Sequence, residues 1–151
     1  MIDEVSLKIL KILQKKARIP NVEVARQVGM APSAVLERIR KLEKQGFIDG
    51  YEVRLNPKRF AKSLVAFVSV KLKKLDAEIK VGQTLSKLPE VQEVHYVAGE
   101  DAFLVKIRAA DTEALSRLIR DKIAAIAGVQ STRTAIVLST YKETARIPID
   151  K

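Results

Sequence analysis

Residues 91–109 read "VQEVHYVAGEDAFLVKIRA", two alternating apolar runs on either side of a tip at Gly99, Glu100 and Asp101. "VQEVHYVA" and "DAFLVKIRA" each have strand periodicity, so the stretch reads as a hairpin. Working outward, "DAEIKVGQTLSKL" (76–88) carries Ala77, Val81, Leu85 and Leu88 on one helical face and stops at Pro89. On the far side, "DTEALSRLIRDKIAAIA" (111–127) carries Leu115, Ile119, Ile123 and Ile126 on one face and ends at Gly128. The Val-rich "SLVAFVSVKLK" (63–73) and "VQSTRTAIVLST" (129–140) complete the pattern as the first and last strands along the chain. The order is β-α-β-β-α-β, with a weak internal repeat between "LPEVQEVHYV" and "IAGVQSTRTAIV". That pattern predicts a ferredoxin-like split βαβ domain, because neither half is long enough to bury its sheet alone.

Two adjacent carboxylates at a turn could be a catalytic pair, a metal site, a small-molecule site or hairpin punctuation. Neighbours on an extended chain point to opposite faces, which suits neither a shared proton nor a bidentate metal contact. The chain has no Cys and a single His, His95. It offers no Gly-rich phosphate loop, no Ser-His-Asp set and no cluster with metal-ligand spacing. The expectation is therefore no catalytic residue, no metal, no cofactor and no enzyme activity, with His95 in surface or interface packing. An RNA-binding sheet is disfavoured as well, because paired exposed aromatics are lacking.

The first fifty residues have a different character. In "DEVSLKILKILQKKARI" (3–19), Val5, Ile9, Ile12 and Leu13 recur at helical spacing, with Asp3 placed to cap and Glu4 suited to the positive helix end. After Pro20, Asn21 is expected to cap a short second helix, "VEVARQV", which Gly29 ends in a left-handed conformation. Pro32 fits the first turn of a third helix, "PSAVLERIRKLEKQ", which stops at Gly46. Two helices joined through a short Gly-containing turn make a helix-turn-helix. Val35, Ile39 and Leu42 should pack inward, leaving Ser33, Ala34, Glu37, Arg38 and Lys41 on the opposite face. Arg38 could take a guanine edge, Lys41 and Lys44 suit phosphates, and Glu37 could meet a cytosine amino group or pair with Lys41. A three-helix bundle with solvated charges is the competing reading.

Totals agree with a nucleic-acid partner. About half the residues are apolar and 30% are charged, a globular composition, with a net charge of +10. Residues 1–60 hold 13 Lys/Arg against 7 Asp/Glu, and residues 61–151 hold 15 against 11, so the first part is the more basic per residue. The acidic "MIDEV" start does not resemble a secretory signal and no apolar run approaches a bilayer span, so a cytoplasmic protein with no membrane partner is expected. "GFIDGYEVRLNPKRFAK" (46–62) joins the two parts: "YEVRL" alternates like a short isolated strand, which a symmetry-related chain could partner, before a turn at Asn56-Pro57.

"LKILKILQKKARIPNVEVARQVGMAPSAVLERIRKLEKQGFIDGY", joined to a βαββαβ pattern containing "YVAGEDAF", resembles the Lrp/AsnC, or feast/famine, regulators. The resemblance runs from Asp3 to the tail "KETARIPID"; Ala31 replaces the Ser that often precedes the Pro of the third helix. It implies an α+β chain with an N-terminal winged helix-turn-helix domain followed by the ferredoxin-like domain. The expected bounds are 1–50 for DNA binding, 51–62 for a linker or hinge strand, and 63–151 for effector binding and oligomerisation. It further implies a transcription regulator of double-stranded DNA, a homodimer assembling to an octamer, and an amino-acid effector in a cleft between dimers. Ser33, Ala34, Glu37, Arg38 and Lys41 match the recognition helix. Tyr96, Val97, Gly99, Glu100 and Asp101 match the effector loop, and Thr132 and Thr134 match positions lining the same cleft. The alternative is a DNA-binding regulator or architectural protein whose second domain only oligomerises, with "AGED" a hairpin turn and no effector.

Overall fold

Asp3 opens the first helix: its carboxylate accepts from the Ser6 backbone N–H at 2.7 Å, satisfying one of the donors a helix start leaves free. Helix α1 then runs Glu4–Lys15 and buries Ser6, Ile9 and Leu13. A computed structural model describes residues 2–150. Helix α2, Asn21–Val28, begins one residue earlier than expected. Pro20 is its N-cap without a side-chain bond, so Asn21 is a helical residue rather than the cap. Gly29 closes it at φ 71°, the left-handed conformation that glycine tolerates best. Three residues later Pro32 starts α3, Pro32–Lys44, with Ala31 at its N-cap and no side-chain cap bond. Val35, Ile39 and Leu42 turn inward and close a small core with Ile9, Leu13, Val24 and Ala25. At roughly 1.5–3 kcal/mol per buried aliphatic side chain, this inward stripe is what holds three short helices together.

Contacts divide the chain into two units, one reaching to Arg54 and taking in residues from Lys142 onward, the other Leu55–Tyr141. The tail belongs to the helical unit. Gln14 donates its side-chain amide to the Ile147 carbonyl at 3.0 Å and accepts from the Ile147 N–H at 2.7 Å. Arg146 donates to the Lys15 carbonyl at the C-terminal end of α1. The 51–55 stretch expected as a strand is not one: it has no regular structure, and a short 3₁₀ turn, Pro57–Phe60, follows with Asn56 as its side-chain cap. No strand lies between α3 and residue 64 among the described residues.

The second unit has the predicted order. Strand β1 (Leu64–Leu72) is followed by a 3₁₀ turn (Leu75–Ala77) and α4 (Glu78–Ser86). Strands β2 (Val91–Val97) and β3 (Ala102–Ala109), helix α5 (Thr112–Leu118) and strand β4 (Val129–Ile136) complete it. All pairings are antiparallel and the sheet order is β2-β3-β1-β4. Along β1 and β3, Ala66, Val68, Val70, Phe103, Val105 and Ile107 point to one face, where Val81, Leu85, Leu115, Leu118 and Ile123 cover them. The stripe on α5 departs from the expected 3.6 spacing. The helix passes into a π turn, Ile119–Ile123, so Leu118 and Ile123, five apart, are the buried pair while Ile119 packs at the margin.

Candidate functional site

Two surfaces carry the residues singled out by sequence. On the helical unit, Ser33, Glu37, Arg40, Lys41 and Lys44 are exposed along α3, and Ala34 is half-buried. Arg38 departs from the expected open face. Its guanidinium donates to the Asp3 carboxylate and, at 3.1 Å, to the Ser6 hydroxyl, tying α3 to the start of α1. The reason is angular: Arg38 lies three residues after buried Val35 and one before buried Ile39, at the rim of the packed stripe. The Arg38 guanidinium and the Ser6 N–H hold the Asp3 carboxyl well below the usual carboxylate range. Ala34, Glu37, Arg38 and Lys41 thus line a shallow cleft of about 380 Å³ against Asp3, Ser6 and Met30.

Among the described residues Glu37 and Lys41 make no ion pair with each other, so the i,i+4 pairing is not formed. Arg40 was not singled out by sequence, although its exposure on α3 beside Lys41 and Lys44 adds a third cation. The signal was its position one residue past Ile39. On α2, Arg26 is engaged with Glu23 at 2.6 Å. That bond and the Gln27 amide pull the Glu23 carboxyl down to about 2.

In the second unit the hairpin loop spans residues 98–101 between paired Val97 and Ala102. Gly99 has φ 93° and Asp101 φ 49°. Glu100 and Asp101 are therefore turn residues, and the opposite-face argument, which assumes an extended chain, does not apply to them. Asp is one of the few non-glycine residues to enter the left-handed region readily. Both carboxylates are exposed. Just before the loop, Tyr96 packs edge-on against Phe103 with ring centroids 5.2 Å apart. Its hydroxyl is buried and has no hydrogen-bond partner among the described residues. Burial, then the carboxylates of Asp101 and Glu78, push the Tyr96 hydroxyl pKa up. Beside Phe103 an open groove of about 690 Å³ runs along α4 past Glu78, Gly82 and Gln83.

Thr132 and Thr134 lie elsewhere. Register places Thr132, Val70, Phe103 and Tyr96 on one cross-strand row, with Thr132 on one edge strand and Tyr96 on the other. Three strand spacings separate them, about 14 Å. One chain therefore brings Tyr96, Val97, Gly99, Glu100 and Asp101 together but not the two threonines. His95 sits on the sheet face away from the helices, 3.3 Å from Glu93, which Lys106 also meets at 3.3 Å; those two contacts lower the Glu93 carboxyl. No group of three or more metal-ligating side chains is present among the described residues. No helix among them is long and apolar enough to cross a membrane.

Comparison with known proteins finds a family match in each part of the chain. The "Lrp/AsnC ligand binding domain" family matches residues 65–147, and the "Winged helix-turn-helix DNA-binding" family matches residues 2–49. The leucine-responsive regulatory protein of Escherichia coli is 38% identical over 150 residues, covering 98% of this chain and 92% of its own length. A transcriptional regulator of Neisseria meningitidis, solved as a complex with L-methionine, superposes with a TM-score of 0.92 at 32% identity, covering 98% of this chain and 97% of that one. The feast or famine regulatory protein of M. tuberculosis, also solved with L-methionine, gives 0.89 at 29% identity over 97% of this chain and 99% of that one.

Proposed function

Because the chain belongs to the Lrp/AsnC family and is a DNA-binding transcription regulator rather than an enzyme, we propose that its second unit binds a free amino acid that tunes DNA binding. The observation that carries this reading is the Tyr96 hydroxyl, buried without a partner next to the Gly99–Asp101 loop. Buried polar groups are satisfied in the working state of a protein, so an orphan beside a loop with two exposed carboxylates asks for a polar guest. Glu100 or Asp101 takes the ligand's ammonium, and backbone amides near Gly99 take its carboxylate. The relatives solved with L-methionine support an amino acid as that guest.

The separation of the threonines supports a site assembled from more than one chain. On this reading Thr132 and Thr134 reach the ligand from another chain, the site lies in a cleft between dimers, and ligand binding is sensitive to octamer formation. Ligand and DNA are then coupled through assembly, as one free energy shared between distinct sites. At the DNA end, Ser33, Ala34 and Glu37 face base edges and Lys41 and Lys44 take phosphates. Arg38 reads a base by exchanging Asp3 for it. Twofold symmetry sets half-sites about one helical turn apart or a multiple of that, and an octamer gains affinity by holding several at once. On this reading residues 1–50 bind DNA, 51–62 link, and 63–151 bind effector and oligomerise, with the tail also bracing α1.

A thermal-shift screen of the twenty amino acids at millimolar concentration tests the effector. A ligand at a hundred times its Kd stabilises by about 2.7 kcal/mol, a shift of several degrees. No response from any of them overturns the proposal and leaves a second unit that only oligomerises.

A further inference from the structure

The chain passes between its two units twice, at Arg54–Leu55 and again at Tyr141–Lys142. Strand β4 keeps the second passage on the sheet as far as Val137, whose N–H donates to the Val65 carbonyl at 2.9 Å. Residues 138–141 then make no hydrogen bond among the described residues, and Leu138 and Tyr141 are almost wholly exposed. At about 3.3–3.6 Å per residue, that segment spans at most about 14 Å. The tail beyond it is caught at the last turn of α1. Gln14 bonds both main-chain groups of Ile147. The Arg146 guanidinium donates at 3.3 Å to the Lys15 carbonyl, one of those that a helix end leaves open.

Gln14 holds the tail as a neighbouring strand would, donating to one C=O and accepting from one N–H, so it reads backbone rather than side chain. Exposed hydrogen bonds this few would not retain a free peptide. They hold here because the short segment 138–141 keeps the tail at high effective concentration. Such a contact opens and recloses readily, which gives it two states, clamped and released. We propose that residues 138–147 are a strap that carries the amino-acid response from β4 to the DNA reader. Its upstream end is the strand bearing Thr132 and Thr134. Its downstream end is α1, which packs Ile9 and Leu13 against Val35, Ile39 and Leu42 of α3. At the start of α1, Asp3 and Ser6 also hold the Arg38 guanidinium. A ligand at the β4 edge that favours one state of the strap therefore biases the seat of the recognition helix. This inference rests on the effector site proposed above and names its route within one chain.

The test uses the full-length protein, a duplex that it enriches from a random pool, and whichever of the twenty amino acids shifts its melting most. Gln14→Leu keeps a good helix former and removes both bonds to Ile147. Inserting a flexible Gly-Ser-Gly-Ser stretch between Ser139 and Thr140 leaves the clamp's own residues unchanged and slackens the strap. In both variants the ligand's melting shift and the ligand-free affinity for the duplex should stay close to native. The ratio of DNA affinities with and without ligand, about fivefold or more where two sites are coupled, should fall to within about twofold of one. Ile147→Ala, which keeps the main-chain clamp, should retain the native ratio. A native ratio in Q14L or in the insertion overturns the strap. So does loss of the melting shift in either, or loss of the ratio in I147A. In the native protein, no melting shift from any amino acid, or a shift with no change in DNA affinity, overturns the effector reading itself.

Discussion

Asp3 serves two structures at once, capping α1 and holding Arg38 across from α3. Its carboxyl is depressed in the folded chain, so the stabilisation is complete above the ordinary value of 3.8. It fades as pH falls below that value. Melting temperature should therefore drop on acidification below about pH 4 in the native chain, and Asp3→Asn should flatten that part of the profile. The cap was legible because Asp before an apolar-periodic run is a local signal. The grip on Arg38 was not, because it joins residues 35 apart through a rim position that a helical projection leaves ambiguous. If Arg38 trades Asp3 for a base, Arg38→Ala costs about 1–3 kcal/mol on the operator and far less on random duplex. Equal losses on both would make it a structural tie or a phosphate contact. Gly128 is a plainer case: at φ 99° an added Cβ would stand 2.8 Å from the Ala77 Cβ. Gly128→Ala should destabilise the sheet unit by about 2 kcal/mol in urea unfolding, through backbone strain and that collision together.

Helices and strands of the second unit were read nearly whole from periodicity, because each buries one face in a single core and the pattern reports the burial. The exceptions had causes outside the local pattern. The π turn after α5 resets the stripe from Ile119 to Leu118 without changing composition, and "YEVRL" has strand periodicity but no partner strand among the described residues. On α3, three exposed cations, Arg40, Lys41 and Lys44, share the C-terminal half, where they also suit the negative helix end. Lys41→Ala or Lys44→Ala should weaken binding to any duplex alike and lower the slope of log affinity against log salt by about one. The α1–tail contact gives an independent expectation. Gln14→Ala removes both hydrogen bonds to Ile147 and, with the pair exposed, should cost about 1 kcal/mol of helical-unit stability, measured by chemical denaturation.

Across the whole molecule, the residues proposed for the effector divide between opposite edges of one sheet, a division that residue spacing along the chain cannot reveal and sheet order does. It predicts complementation. Asp101→Ala and Thr134→Val chains each lose the amino-acid response alone, but co-expressed in equal amounts they should regain about a quarter of the sites, those built from the intact edge of each. Full loss in the mixture would mean that both edges act within one chain. The tail has a last consequence, for anyone cutting or joining this chain. The polypeptide leaves the helical unit at Arg54 and comes back to it at Lys142, so the DNA reader is discontinuous in the gene. A chimera made by splicing residues 1–50 onto a foreign sensor would carry over the recognition helix but leave its brace behind. A reporter fused at the C-terminus would hang on the DNA-reading half rather than on the sensor it follows in sequence.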